Sequence, residues 1–158
     1  MIARREVRWC HMDRFALALI AHDSKKADMA FLVQAHREEL AKLSLVATAT
    51  TGRFIQDRIG LPVTLMRSGP EGGDQQIGAL VADGDVRAVI FLRDPLTAHP
   101  HEPDVSALLR VCDVHNVPLA TNLATAEAIL RLLFEHPEVL EDQGATPPTM
   151  TGTVASLQ

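Results

Sequence analysis

The chain has 158 residues, of which 47% are hydrophobic and 22% charged, and a formal net charge of −5. A single domain of this size buries roughly 68–70% of the surface its unfolded chain exposes, so it folds without metal or disulfide staples, and a disordered or collagenous chain is excluded. The acidic balance argues against a dedicated nucleic-acid binder, whose affinity comes from neutralising phosphates, but one local pocket can still be positive and hold a small anion.

Residues 1–13 read as a basic extension. Arg4 and Arg5 precede the apolar run Phe15–Ala21, an arrangement that superficially suggests a secretory leader. The run is only about seven residues, and no small-residue cleavage site precedes His22 and Asp23. It reads as a buried strand. No stretch approaches the ~18 apolar residues of a membrane span, so a cytoplasmic protein with no membrane partner is expected.

Helical spacing follows at Met29, Leu32, Val33 and His36. Leu43–Ala47 is the second apolar run. Thr51–Ile59 reads as a helix ending at Gly60, a C-terminal cap. Val63–Met66 is the third run, and Gln75–Asp83 reads as a helix ending at Gly84. Ala88–Leu92 is the fourth run. Pro103 and Asp104 sit where a helix would begin, and Val105, Leu108, Leu109 and Cys112 continue its apolar face. In the fifth run, Val117–Ala120, Pro118 fits only a strand start or an edge. Ala124–Phe134 is a final helix. Residues 136–158, with Pro147-Pro148 and small polar residues, read as a loosely packed tail.

Each run is continuous rather than alternating, which suits strands buried on both faces of a parallel sheet. The expected fold is therefore α/β. Residues 14–135 form a three-layer, doubly wound, Rossmann-like sheet of about five parallel strands with helices on both faces.

In open α/β sheets, ligands bind outside the carboxyl ends of the strands. His22, Asp23, Ser24, Lys25 and Lys26 follow the first run. Thr48, Ala49, Thr50, Thr51 and Gly52 follow the second, where hydroxyls and orphan N–H groups at a helix start suit an anion. The plainer reading is a Thr50 or Thr51 N-cap and a solvated Lys26. Ser68-Gly-Pro-Glu-Gly-Gly-Asp74 follows the third. Its glycines let backbone approach a ligand, against the alternative of a glycine loop with Asp74 as an N-cap. Asp94-Pro-Leu-Thr-Ala-His-Pro-His101 follows the fourth, stiffened by Pro95, Pro100 and Pro103. That suits preorganised chemistry, or else a rigid connector with Asp104 capping a helix. His99 and His101 alternate, so at most one is expected to face the site. Thr121, Asn122 and Thr125 follow the fifth.

Cys10 and Cys112 make no disulfide framework. Cys112 reads as a small buried apolar residue and Cys10 as an incidental thiol. His22, Asp23, His101 and Asp104 are a rival metal set, but the usual zinc spacings are absent and no metal is expected. Dinucleotide and P-loop motifs are also absent.

Taken in register, these segments closely resemble methylglyoxal synthases. The matching stretches are Ala21-His-Asp23 with Lys26, Ala47-Thr-Ala-Thr-Thr-Gly52, Ser68-Gly-Pro-Glu-Gly-Gly-Asp-Gln-Gln76 and Asp94-Pro-Leu with Pro100-His-Glu-Pro-Asp104. Leu108-Leu-Arg110 and Asn116-Val-Pro-Leu-Ala-Thr-Asn122 with Ala124-Thr-Ala126 complete them. The resemblance spans about residues 15–130.

It implies a cytoplasmic lyase that converts dihydroxyacetone phosphate to methylglyoxal and inorganic phosphate. It also implies no metal or organic cofactor, inhibition by phosphate, and a homohexamer. By resemblance, Asp74 matches the catalytic base and His101 the catalytic histidine. His22, Lys26, Thr48, Thr50, Thr51, Ser68 and Gly69 match substrate and phosphate contacts, while Asp23, Gly73, Asp94 and Asp104 match supporting positions. The chain departs from the family at Ala49, where Gly is common, and in lacking any Lys or Arg after Arg131. The alternative is a non-catalytic phosphate or sugar-phosphate module, like those of carbamoyl-phosphate synthetase and inosine monophosphate cyclohydrolase. Asp74 and His101 favour the enzyme.

Overall fold

The computed structural model describes residues 16–137. The extension read at 1–13, Cys10, Phe15 and the tail from residue 138 lie outside them. Five strands form one sheet in the order β3-β2-β1-β4-β5, every neighbouring pair parallel. They are β1 (Ala16–Ala21), β2 (Ser44–Ala47), β3 (Thr64–Leu65), β4 (Val86–Leu92) and β5 (Leu119–Ala120). The helices are α1 (Lys26–Ala35), α2 (Arg37–Leu40), α3 (Ala49–Ile59), α4 (Gly73–Ala82), α5 (Glu102–Val114) and α6 (Leu123–Glu135).

The apolar runs become strands because both of their faces find cover. In β1, Leu17, Leu19 and Ala21 pack against Met29 and Val33 of α1, Ile55 of α3 and Leu130 of α6. Ala16, Ala18 and Ile20 point the other way, onto Ile77 and Val81 of α4 and Val105, Leu108 and Cys112 of α5. This is the two-residue period of a strand read out on two separate cores. Three layers follow, as expected.

The differences from expectation lie at the ends of elements. The run Val63–Met66 shrinks to two paired residues and Val117–Ala120 likewise, because each is an edge strand bonded on one side only. Pro118, lacking an N–H, still serves that edge by accepting from the Val89 N–H at 2.9 Å. The spacing that included His36 stops at Ala35. His36 ends α1, and its Nε2 lies 2.7 Å from Glu127, joining α1 to α6. Cys112 is fully buried, as read, and burial pushes its thiol pKa up to about 11. Among the described residues, no helix is long and apolar enough to cross a membrane.

The strand order reverses direction at β1. After β1 the chain builds β2 and β3 on one side, then returns to lay β4 and β5 on the other. A crevice opens outside the carboxyl ends of β1 and β4, where helices depart to opposite faces. His22 follows one of these strands and Asp94 lies just beyond the other.

Candidate active site

At that crevice lies a cavity of about 90 Å3 whose walls include His22, Lys26, Thr50, Gly69, Asp74 and His101. Four loops supply them, each leaving a different strand. The most unusual group is Asp74. It is 1% exposed, and neither carboxyl oxygen has a hydrogen-bond partner among the described residues. Burial raises its pKa, opposed by His101 and reinforced by Asp104. Leaving a buried polar group unpaired costs about 1–3 kcal/mol, and more if it is charged. Such a carboxylate is destabilising on its own and basic, which suits proton abstraction.

Backbone geometry puts it there. Gly72 has φ +97, a conformation that a side chain resists. A Cβ on Gly73 would come within 2.0 Å of the Arg67 carbonyl oxygen. The two glycines therefore let α4 begin flush against the preceding loop. Asp74 falls inside the first turn rather than at the cap, one residue before the expected start of the helix.

His101 faces Asp74, with Nε2 4.0 Å from a carboxyl oxygen. That is beyond hydrogen-bond length, so an intervening substrate atom can meet both. The His101 Nδ1 is buried and unpartnered. Asp104 is in the first turn of α5, with His101 as the cap residue, and it accepts from Gln75 Nε2 at 2.7 Å.

His22 is 7% exposed, and its Nδ1 accepts the Asp94 N–H at 2.9 Å. A ring nitrogen that accepts carries no proton, so the proton of the neutral ring is on Nε2. The Nε2 is buried with no partner among the described residues. Burial lowers the His22 pKa to about 4, helped by the charges His99 and His101 would carry. At neutral pH, His22 is thus an uncharged donor with no acceptor among the described residues.

Lys26 supplies the positive charge. Its Nζ donates to the Ala21 carbonyl at 3.2 Å and to Asp23 at 2.6 Å, its side chain only 14% exposed. Asp23 itself is exposed, and the Lys26 bond holds its carboxyl below the usual range. The start of α3 adds orphan N–H groups and the Thr50 hydroxyl.

Of the other expected residues, Thr48 lines the cavity, while Thr51, Ser68 and Asp94 do not. The Thr51 hydroxyl accepts the Ala21 N–H at 3.2 Å and donates to the Ala21 carbonyl at 3.3 Å, and the Thr48 hydroxyl donates to it at 3.2 Å. The N-cap of α3 is Thr48, not Thr50 or Thr51, and it makes no side-chain cap bond. Ser68 gives its carbonyl to the N–H groups of Glu71 and Gly73. Asp94 is a loop latch, accepting from Ser24, Thr97 and the Leu96 N–H, bonds that hold its pKa near 2. Asn122 caps α6 through Thr125.

The expectation that only one of His99 and His101 faces the site is wrong. Both line the cavity, and His99 stacks on His22 with ring centroids 3.8 Å apart. Side chains alternate only along extended backbone, and a turn at Pro100-His101 intervenes before α5. The rival metal set is not assembled, since Asp23 and Asp104 are turned to Lys26 and Gln75. His22, His99 and His101 do bring ring nitrogens within 4.8 Å of one another. The proton held on His22 Nε2 fits an oxygen ligand rather than a cation there.

A model of the MGS-like domain family matches residues 28–121. The methylglyoxal synthase of Carboxydothermus hydrogenoformans is 62% identical over 117 residues, covering 74% of this chain and 97% of that one. That of Moorella thermoacetica is 61% identical over 121 residues, covering 77% and 94%. The crystal structure of methylglyoxal synthase from Elizabethkingia anophelis NUHP1 superposes with a TM-score of 0.70 at 47% identity, covering 74% of this chain and 77% of the other. With its sheet order, its crevice and these relatives in agreement, the chain belongs to the methylglyoxal synthase family.

Proposed function

We propose that this chain is a lyase that converts dihydroxyacetone phosphate to methylglyoxal and inorganic phosphate, and that its own side chains perform every step. The substrate phosphate sits against Lys26, Thr50 and the opening turn of α3, with the Gly69 backbone beside it. Asp74 takes a proton from the hydroxymethyl carbon next to the carbonyl. The electrons move into an enediolate, whose oxygen accepts from His101, while His22 donates to a phosphate oxygen in the ground and transition states alike. The enediolate then expels phosphate by breaking the C–O bond at the other carbon. The hydroxyl on the first carbon gives its proton to the departing phosphate and becomes the aldehyde, and the resulting enolate takes the proton held by Asp74 at the other carbon to become methylglyoxal, so atoms and charge balance without a cofactor.

The magnitudes suit the assignment. A positioned general base is worth about 10²–10⁴-fold, and each donor aimed at a developing oxyanion about 2.7–4 kcal/mol. One observation carries the reading. Asp74 is a buried carboxylate with no hydrogen-bond partner among the described residues, across a 4.0 Å gap from His101 and in the same small cavity as Lys26.

The remaining parts of the proposal follow the family resemblance. The unit is residues 14–135, the protein is cytoplasmic, phosphate inhibits by occupying the product site, and the working form is a homo-oligomer, by resemblance a hexamer. Purified protein mixed with dihydroxyacetone phosphate should release inorganic phosphate and methylglyoxal in equal amounts. Binding of phosphate without any release would leave a binding module and sink the lyase.

A further inference from the structure

His99 has a polar ring that makes no hydrogen bond among the described residues. Its Nε2 is buried and has no partner among the described residues. What the ring does contact is another ring. It lies on His22 at 3.8 Å between centroids with an interplanar angle of 29°, while Phe91 meets His22 edge-on at 5.2 Å and 79°. His101 approaches His22 at 5.7 Å and 84°.

His22 needs such walls. A single bond, from the Asp94 N–H to Nδ1, sets its tautomer. The torsion that turns an imidazole is broad and shallow, so one bond at one corner does not fix the direction of Nε2–H. A face-on stack does, because the ring cannot swing without displacing its neighbour. The backbone of His99 is preset for this task. Pro100 confines the preceding residue to extended conformations, and the His99 carbonyl accepts the Glu102 N–H at 3.2 Å, tying the loop to the start of α5.

We infer that His99 is a positioning residue: its ring, stacked on His22, holds the His22 Nε2–H toward the substrate oxygens. This rests on the lyase reading for what the donor meets, but the positioning itself does not require turnover. The contribution comes from the face of the ring and not from its nitrogens, so an aromatic replacement preserves it and a small one does not.

The test combines kinetics with ring ¹⁵N spectra of His22 in the full-length protein. In His99→Ala, KM for dihydroxyacetone phosphate and Kd for inorganic phosphate rise together, by about threefold to tenfold, the range of an aromatic pair. The kcat stays within about twofold, since binding lost equally in ground and transition states leaves it unchanged. The His22 resonances move from a single Nε2–H tautomer toward a mixture. His99→Phe restores all three readouts, and His99→Asn, also without a stacking ring, behaves like the alanine variant if that one folds poorly. Unchanged His22 spectra and phosphate Kd in the alanine and asparagine variants would overturn the inference. So would a large fall in kcat at constant KM, or failure of phenylalanine to rescue. If the wild-type protein releases no phosphate, the lyase reading fails, whereas the His22 spectra and phosphate Kd still decide the role of His99.

Discussion

Thr51 and Asp74 are equally buried, each 1% exposed, but Asp74 lines the cavity and Thr51 does not. The Thr51 hydroxyl makes three hydrogen bonds and ties α3 to the end of β1. Asp74 makes none. One group is fully satisfied by the fold, the other is held at a cost that the fold does not recover. The difference separates what builds this crevice from what waits in it for a ligand, although both residues belong to motifs shared with the family.

The largest expected effect breaks the unsatisfied side. Asp74→Asn keeps the shape and removes the base, so kcat should fall by about 10²–10⁴-fold in a phosphate-release assay. Folding should not suffer. The raised pKa of Asp74 means its contribution to stability is greatest where it is protonated and declines as pH rises through that pKa. The variant should therefore gain on the wild type in denaturant midpoint as pH goes from acid to neutral. A variant as active as the wild type would remove Asp74 from the base role.

Next in size is His101→Gln. The amide can still donate, but from a different point than Nε2, which lies 4.0 Å from Asp74. A loss of kcat of roughly 10²-fold is expected, near the lower end for one oxyanion donor, with a smaller change in KM. A change confined to KM would make His101 a binding group.

The satisfied side breaks differently. Thr51→Val keeps the volume and deletes the hydroxyl, leaving the Ala21 N–H and C=O and the Thr48 hydroxyl short of partners. The cost is stability, about 1–3 kcal/mol, visible as a Tm lower by several degrees at 158 residues. In the folded variant, kcat should change less than in His101→Gln. The reverse pattern would make the Thr51 hydroxyl a substrate contact.

This contrast also marks what was legible in the chain. Continuous apolar runs such as Phe15–Ala21 and Ala88–Leu92 announce strands covered on both faces, and the polar residues after them announce the crevice. The edge strands were overextended because an apolar run cannot say how many residues find a partner. The role of Thr51 depends on Ala21, thirty residues away, and no local pattern carries that. Alternation sets His99 aside only where the chain is extended, and the turn at Pro100-His101 brings both rings into one cavity. Asp74 was legible as a residue type at a helix mouth, but its lack of partners was not, since that is a property of everything around it.

The smallest effect sharpens the comparison at His22, which stands between the two cases. One of its ring nitrogens is satisfied by Asp94 and the other has no partner among the described residues. Its folded pKa of about 4 lies below the ordinary 6.5, with burial the main cause. Between these values the unfolded chain binds a proton that the folded ring refuses. The stability contribution is therefore complete above pH 6.5 and is lost as pH falls toward 4. Protonation would also place a hydrogen on Nδ1 against the Asp94 N–H and break the bond that sets the ring. His99, His101 and Arg93 disfavour the charge while Glu102 favours it, so the comparison must hold these neighbours fixed. His22→Phe does so, since it changes only the titrating ring. Denaturant midpoints measured at pH 7 and pH 5 should fall more in the wild type than in His22→Phe. Equal falls would mean that His22 titrates alike in both states, and its Nε2–H would then not be the fixed neutral donor that the crevice presents.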